Sequence, residues 1–183
     1  MKELSLNILD IAQNSVTAGA TEIKILVDEQ PAENTLRIVI EDNGSGMDQA
    51  FLERVTDPFT TTRTTRKVGL GIPLFKQAAE MTGGKFSITS KVGVGTTVTA
   101  DFIYDSIDRM PIGDMPSTIT ALLGSKPGID WIYEHRYGKS TFTFSSREII
   151  RQVGDIDFTQ PEITEWIAQY ISEQLHNLYG GKV

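Results

Sequence analysis

The chain has 183 residues, 39% of them hydrophobic, and its 24 acidic side chains outnumber 17 basic ones to give a net charge of −7. This length suits one domain, or one domain with a small attached unit. The negative charge opposes non-specific binding to nucleic acid or to an anionic membrane, so we expect neither partner.

The chain has no cysteine, which excludes disulfides, zinc–thiolate sites and cysteine nucleophiles and fits a reducing compartment. Glu3 and Asp10 interrupt the apolar pattern of the N-terminus. That segment is therefore predicted to be neither a signal peptide nor a membrane span, and we expect a cytoplasmic protein.

The first half of the chain is predicted to contain a helix, two strands, a long loop, a second helix and two more strands. Apolar residues recur at helical spacing from about residue 2 to 18 and again from 72 to 82, and a short acidic helix is predicted at 48–55. The predicted strands are residues 21–29, 34–42, 85–92 and 95–104. This order predicts a layered α/β sandwich with helices on one face of the sheet.

A change of composition in residues 104–116, which contain two prolines, a glycine and three aspartates, places a domain boundary near Asp105. The first domain would be residues 1–104 and the second residues 105–183. Beyond the boundary the patterns predict a helix at 117–123, a hairpin turning at 137–139 and an amphipathic helix at 161–178. This segment is expected to pack on the first domain as a structural extension, with a docking surface for a substrate protein as the alternative.

Four aromatic or imidazole side chains of the second half are assigned ordinary roles. Trp131 and Trp166 are expected to fill a core. His135 and His176 are expected to be interface or surface histidines, because neither lies in the helical His-Glu or His-Asp context of a phosphoacceptor.

Asp10 and Asn14 are four residues apart on the first helix and point from one face. They could be a solvated surface pair. They could also be a general base beside an oxygen ligand for Mg²⁺, an ion that takes only one or two protein ligands when phosphates supply the rest.

Three glycine motifs follow. EDNGSGM, at residues 41–47, ends a strand and could be a simple turn. KVGLGIPLFK, at 67–76, opens a helix whose free N–H groups suit a phosphate, or is an ordinary glycine-flanked helix start. GVGTT, at 93–97, could be a hairpin turn.

The order of these motifs resembles the GHKL superfamily, the ATP-binding domains of histidine kinases, anti-sigma-factor kinases, type II topoisomerases, mismatch-repair ATPases and ninety-kilodalton heat-shock chaperones. QNSVTAGATEI is similar to the N box, DNGSGM to the first glycine box and DPFTTTR to the F box, and VGLGIPLFKQAAEMTGGKFSITSKVGVGTTVTADF follows the pattern of the histidine kinases. The resemblance covers residues 1–104. It implies an α+β fold, the two-layer Bergerat sandwich with a mixed, mainly antiparallel sheet, to which the C-terminal α+β extension is added.

The resemblance also implies ATP and Mg²⁺ as ligands and a role for each matching residue. Asn14 would hold Mg²⁺, Asp42 would accept a hydrogen bond from the adenine amine, and Gly44 and Gly46 would let the base approach the backbone. Thr96 would lie near adenine. The other implied nucleotide contacts are Met47, Phe59, Gly69, Leu70, Gly71 and Ile72, with Arg66 and Lys67 as lid cations.

The sequence departs from the pattern at Asp10, where topoisomerases and chaperones of the family carry a glutamate base. Aspartate has roughly 1.5 Å less reach, which puts hydrolysis in doubt and leaves binding untouched. No residues resembling a dimerisation domain with a phosphoacceptor histidine precede the ATP-binding pattern, so a complete sensor kinase is not expected.

Two functions are predicted. The chain is an enzyme that transfers the γ-phosphoryl group of Mg-ATP to a protein partner or slowly to water, with Asp10 as the catalytic residue. Alternatively it is a switch in which ATP binding recruits or releases a partner and turnover is incidental. A family member that no longer binds nucleotide is disfavoured because the adenine and phosphate positions keep suitable residue types.

Overall fold

A computed structural model describes residues 2–57 and 69–181, which contain six α-helices and six strands. The helices are α1 (Leu4–Thr17), α2 (Gln49–Val55), α3 (Gly71–Met81), α4 (Met115–Leu123), α5 (Ser146–Val153) and α6 (Pro161–Leu178). The strands are β1 (Glu22–Gln30), β2 (Thr35–Asp42), β3 (Lys85–Lys91), β4 (Gly95–Ile103), β5 (Asp130–Tyr137) and β6 (Ser140–Ser145).

The strands form one sheet in the order β3-β4-β2-β1-β5-β6. β1 pairs in parallel with β5, and the other four pairings are antiparallel. The first hairpin turns through a 3₁₀ helix at Pro31–Glu33 and a left-handed Asn34, whose φ of 57° an asparagine tolerates better than most residues. The predicted α+β sandwich with a mixed, mainly antiparallel sheet is confirmed.

The core lies between the sheet and helices α1, α3, α4 and α6, which pack on one face. Alternate residues of the central strands supply its floor, as the period of two in a strand requires. The opposite face carries polar and charged side chains, among them Arg37 paired with Asp101 at 2.7 Å. This one-sided burial explains why the apolar and polar residues of β1 and β2 alternate.

The C-terminal segment shares both the sheet and the core with the rest of the chain. β5 extends the sheet beyond β1, and α4 packs against α1 and α6. No side chain caps α1, and the backbone N–H groups of Leu4 and Ser5 donate to the carbonyls of Pro111 and Ile112 at 2.9 and 2.7 Å. The linker before α4 thus provides acceptors for two free N–H groups at the start of α1, the helix that carries Asp10 and Asn14. The division of the chain near residue 105 stays a prediction.

Two expectations for the C-terminal half are wrong, and one of its helices was not predicted. That helix is α5, which is short and is capped by the Ser145 hydroxyl. Trp131 is buried as expected, but the expectation that Trp166 fills a core is wrong, because 48% of it is exposed. The prediction of a surface or interface position is wrong for His135, which is 1% exposed and lies inside a hydrogen-bond network.

Among the helices of the described residues, none combines the length and the hydrophobicity that a bilayer-spanning helix needs.

Candidate functional site

The carboxylate of Asp42, at the end of β2, is held in place by two hydrogen bonds. Its Oδ2 accepts from the Ser15 hydroxyl of α1 at 2.6 Å, and its Oδ1 accepts from the Gly44 backbone N–H at 2.8 Å. A carboxylate has about four lone-pair positions, so this one can still accept from a ligand. The half-buried side chain is therefore oriented before anything binds to it.

Backbone pairing brings Thr96 next to Asp42. The two residues are partners in the β2–β4 ladder. The Thr96 hydroxyl lies 2.8 Å from the Ser90 hydroxyl, which also accepts from the Met47 backbone N–H at 2.8 Å. This cluster attaches the loop after β2 to the β3–β4 hairpin and places Met47 and Thr96 in one wall.

Asn14 is half-buried on α1, and its side-chain Nδ2 is buried without a hydrogen-bond partner. A buried amide hydrogen without an acceptor is destabilising, and a phosphate or other ligand oxygen at this point would satisfy it. Asp10 is one turn earlier on the same helix and is exposed.

The start of α3 lies against α1 at this same turn. A Cβ built on Gly71 would be 3.2 Å from the Cβ of Asp10, so glycine allows the two helices to approach here. No side chain caps α3, and the N–H groups of a helix's first turn have no intrahelical acceptor. The arrangement suits an anion placed before Gly71, next to Asn14.

Several of these residues line one cavity of about 240 Å³ between α1, β2, α3 and β4, which we call the α1–β2 cavity. Its polar side chains are those of Asn14, Ser15, Thr17, Asp42, Ser45 and Thr96. The rest of the lining is largely apolar and is formed by residues such as Ile11, Met47, Phe51, Ile72 and Val98. An apolar slot with one oriented carboxylate fits a flat heterocycle that carries an amine.

Of the predicted site residues, the structure brings six to this cavity: Asn14, Asp42, Gly46, Met47, Ile72 and Thr96. The described residues Asp10, Gly44, Gly69, Leu70 and Gly71 do not line it. Phe59, Arg66 and Lys67 fall within residues 58–68, outside the described residues.

At both glycines of EDNGSGM a side chain would collide with neighbouring backbone, and their expected role at the adenine base stays a prediction. A Cβ on Gly44 would lie 2.9 Å from the Cβ and carbonyl oxygen of Ala18, and one on Gly46 would lie 2.1 Å from the carbonyl oxygen of Lys91. Gly46 also has a φ of +69°. The described contacts of both glycines are therefore with the chain itself, at α1 and at the β3–β4 hairpin.

Sequence reasoning missed Ser15 and Ser90. Ser15 directly follows Asn14 on α1. Its small polar side chain next to a predicted ligand residue was the signal that could have identified it. Ser90 gave no such signal, because only the β3–β4 pairing opposite Thr96 brings it to the loop after β2.

A family model described as histidine kinase-, DNA gyrase B-, and HSP90-like ATPase matches residues 1–105. The tetrathionate sensor histidine kinase TtrS of Salmonella typhimurium is 34% identical over 113 residues, which are 60% of this chain and 18% of TtrS. The signal transduction histidine-protein kinase AtoS of Escherichia coli is 34% identical over 100 residues, 54% of this chain and 16% of AtoS. The chain thus spans less than a fifth of these relatives.

Two solved structures share the fold. The Aquifex aeolicus MutL ATPase domain complexed with ADP superposes with a TM-score of 0.53 at 13% identity, over 79% of this chain and 64% of that one. The N-terminal domain of a DNA repair protein superposes with a TM-score of 0.55 at 16% identity, over 80% of this chain and 53% of that one. Residues 1–105 are too few to account for this coverage, so the likeness extends into the C-terminal segment.

Proposed function

Because the chain belongs to the family of histidine kinase-, DNA gyrase B- and HSP90-like ATPases, we propose that it binds Mg-ATP in the α1–β2 cavity and transfers the γ-phosphoryl group. The acceptor is a protein partner or, more slowly, water. The observation that carries the proposal is the convergence of residues from α1, β2, α3 and β4 on one cavity next to an uncapped helix start.

In this proposal Asp42 recognises adenine. The purine lies between the apolar side chains of the cavity, and its exocyclic amine donates to a free lone pair of the carboxylate. Ser15 and Gly44 already fix the two carboxylate oxygens, so little conformational freedom is lost when the base binds. A carboxylate accepts from an amine and repels a ring carbonyl, which favours adenine over guanine.

Asn14 is the residue that would hold Mg²⁺. Its amide oxygen is a ligand type that Mg²⁺ accepts, and the ion needs few protein ligands when phosphates and water complete its octahedron. Within residues 2–57 and 69–181, no group of three or more carboxylate or imidazole side chains could hold a metal, so an ion here depends on oxygens from the nucleotide. When bound, Mg²⁺ neutralises charge on the phosphate oxygens.

The phosphates lie at the start of α3, where the N–H groups of Gly71 and Ile72 and the positive end of the helix dipole face them. The predicted lid cations Arg66 and Lys67 add positive charge from the preceding segment. Asp10 projects beside Gly71 and is our candidate base for the attacking group, which it must reach by hydrogen bond to act.

The short side chain of Asp10, and its position outside the lining of the cavity, favour a second candidate function. In that function ATP binding itself changes the affinity for a partner protein, and hydrolysis is incidental. A cytoplasmic location is part of either proposal, because ATP is available there and a chain without cysteine fits a reducing compartment.

The test is incubation with γ-labelled ATP, first with the protein alone and then with cell extract. The enzymatic proposal predicts label in free phosphate, in this chain or in another protein. Asp10→Asn should keep Mg-ATP affinity and abolish that transfer, whereas Glu80→Gln, an exposed charge change on α3, should alter neither. Binding without transfer above background in the native protein would select the switch, and absence of Mg-ATP binding would refute both.

A further inference from the structure

A second cavity, of about 420 Å³, lies beneath the C-terminal helix. Its lining includes Glu29 of β1, His135 of β5, Tyr179 just after α6, and the start of α4; we call it the Glu29 cavity. In the β1–β2 ladder Ile23 is opposite Asp42, and Glu29 is six residues further along. At the rise of a strand, roughly 20 Å separates the two ends, so the Glu29 cavity is distinct from the α1–β2 cavity.

Glu29 is 3% exposed and is the centre of a hydrogen-bond network. Its Oε1 accepts from His135 Nε2 at 2.7 Å and from the Tyr179 hydroxyl, and its Oε2 accepts from the Tyr104 hydroxyl at 3.1 Å. The other ring nitrogen of His135, Nδ1, lies 2.6 Å from the Tyr133 hydroxyl. Three donors therefore converge on one buried carboxylate.

The protons of this network can be assigned from its geometry. Burial and the charge of Glu29 raise the pKa of Tyr133 and Tyr179, and they raise the pKa of Tyr104 to about 12. Each hydroxyl therefore keeps its proton at neutral pH. Among the described hydrogen bonds the Tyr133 hydroxyl has only His135 Nδ1 as a partner, so we assign its proton to that bond. An imidazole that accepts at Nδ1 and donates at Nε2 is neutral. With its hydrogen bonds satisfied in this way, the network carries the negative charge of Glu29.

No lysine or arginine lies among the described residues that line the cavity, and the lining adds a second carboxylate, Asp114, whose oxygens accept from Ser117 at the start of α4. The guanidinium of Arg109 lies 4.8 Å from the centre of the Tyr104 ring but donates to the backbone carbonyls of Tyr104 and Met110. His176 is the other titratable group of the lining. A buried charge without an opposite charge is costly, so a cation in this cavity would be stabilising.

The remaining surface of the Glu29 cavity selects among cations. Ile112, Met115, Pro116 and Leu175 form an apolar wall that suits a short hydrocarbon chain. The volume is within the range of small-molecule sites. Oε2 of Glu29 accepts from Tyr104 alone among the described groups, which leaves a lone pair for one further donor.

We propose that the Glu29 cavity binds a small aliphatic amine, with its ammonium group at the Glu29 carboxylate on the side of Asp114 and its hydrocarbon chain against Leu175 and Met115. The amine completes the charge balance of the network from outside the chain. This ligand is independent of the nucleotide proposed for the α1–β2 cavity.

The test is calorimetric titration of the full chain with n-butylammonium at constant ionic strength, with 1-butanol as the neutral probe of nearly the same shape. Saturable one-to-one binding of the amine, with no binding of the alcohol, is the expected result. Equal binding of the two probes, or no amine binding, would overturn the proposal. So would competition between the amine and Mg-ATP, because it would place the amine in the other cavity.

Variants identify the residue that binds the amine. Glu29→Gln keeps the shape and removes the charge, and amine affinity should fall by roughly tenfold or more, the loss expected for one charge-assisted hydrogen bond. The matched control is Asp28→Asn, the same change of charge one residue away on the other face of β1. Equal affinity in the native protein and in both variants would refute the assignment to Glu29.

A second variant covers the case in which Glu29→Gln does not fold. Ser172 is exposed and lines the cavity from α6, so Ser172→Trp should fill the entrance while leaving the buried network intact. Amine affinity should again fall by about tenfold or more. Unchanged amine affinity in folded Ser172→Trp would contradict the proposed location.

Discussion

Asp42 and Glu29 are carboxylates near opposite ends of the β1–β2 hairpin, and the protein holds them in different ways. Asp42 accepts one hydrogen bond from α1 and one from its own loop, and its remaining lone pairs face a largely apolar cavity. Glu29 accepts from an imidazole and two phenols that are 75 to 150 residues away along the chain. The first carboxylate keeps hydrogen-bonding capacity at a cavity, whereas the second connects distant segments of the fold.

The difference follows from the number and origin of the donors. Two donors orient Asp42, one from α1 and one from the adjacent loop, and leave it able to accept a third hydrogen bond. The three donors at Glu29 come from the linker after β4, from β5 and from the end of α6. Replacement of Asp42 should therefore affect nucleotide affinity most, and replacement of Glu29 should affect stability as well as amine affinity.

The largest expected effect is that of Asp42→Asn on nucleotide affinity. The amide weakens acceptance of the adenine amine, and its NH₂ group opposes one of the donors that now orient the side chain. We expect Mg-ATP affinity to fall roughly 100-fold, near the upper range for a hydrogen bond to a charged group, measured by calorimetry. Glu41→Gln, the exposed neighbour, is the control and should bind normally; equal losses in the two variants would contradict the role of Asp42.

The second effect is that of Glu29→Gln on stability in the absence of amine. The amide NH₂ of glutamine replaces a carboxylate oxygen that accepts from the network, so at least one buried hydrogen bond to a charged group is lost and the free energy of unfolding should fall by about 2 kcal/mol. Urea denaturation measures this value. The control Asp28→Asn should cost clearly less than Glu29→Gln, because Asp28 is only half-buried and the amide oxygen of asparagine can still accept from Gln30 Nε2. If Glu29→Gln and Asp28→Asn unfolded at the same urea concentration, the hydrogen-bond network at Glu29 would not contribute to stability.

A third, smaller effect is expected for Ser15→Ala. This change removes the donor that orients Asp42 Oδ2. Mg-ATP affinity should fall roughly fivefold to tenfold, which corresponds to the lower range of hydrogen-bond energies. The preference for ATP over GTP should shrink in parallel, which a purely structural role would not produce. Ser5→Ala is the control, because Ser5 is buried on the same helix but bonds to Glu3; a change of preference in both variants would argue against Ser15.

The smallest effect is a pH dependence confined to the Glu29 end. Burial and Glu29 raise the pKa of Tyr104, from 10.0 to about 12, and of Tyr133 and Tyr179. A group whose pKa is higher in the folded than in the unfolded protein contributes its full stabilisation at any pH below the unfolded pKa. For these tyrosines that stabilisation is lost as the pH rises from 10 through the folded pKa values. Near-ultraviolet absorbance should show at least three of the five tyrosines ionising late. A single step for all five near pH 10 would contradict the network.

The Asp42 end was predictable from the sequence because its parts are local. The strand alternation of β2, the loop that follows it, and the Asp10–Asn14 spacing on α1 are patterns of a few residues. Pairing then brings them together, since Asp42 is opposite Ile23 and Thr96. What the patterns could not supply was the space around Gly44 and Gly46, which depends on Ala18 and Lys91.

The Glu29 end was not predictable for the opposite reason. Its donors come from distant segments, and only the parallel pairing of β5 with β1 aligns His135 close to Glu29. In sequence Glu29 is one more acid at the end of a strand. The alternation of β5 does place His135 on the face of Trp131 and Tyr133, but it does not indicate which partner the imidazole meets there. Trp166 was misplaced similarly, because helical spacing alone does not determine how much of α6 the sheet covers.

The most direct test of the nucleotide site compares ATP with purine riboside triphosphate, which lacks the exocyclic amine, in the native protein and in Asp42→Asn. The native protein should bind ATP more tightly by roughly tenfold or more, the value of one hydrogen bond to a carboxylate. The variant should bind the two nucleotides almost equally. Equal affinities in the native protein, or the same preference in both proteins, would show that Asp42 does not recognise adenine.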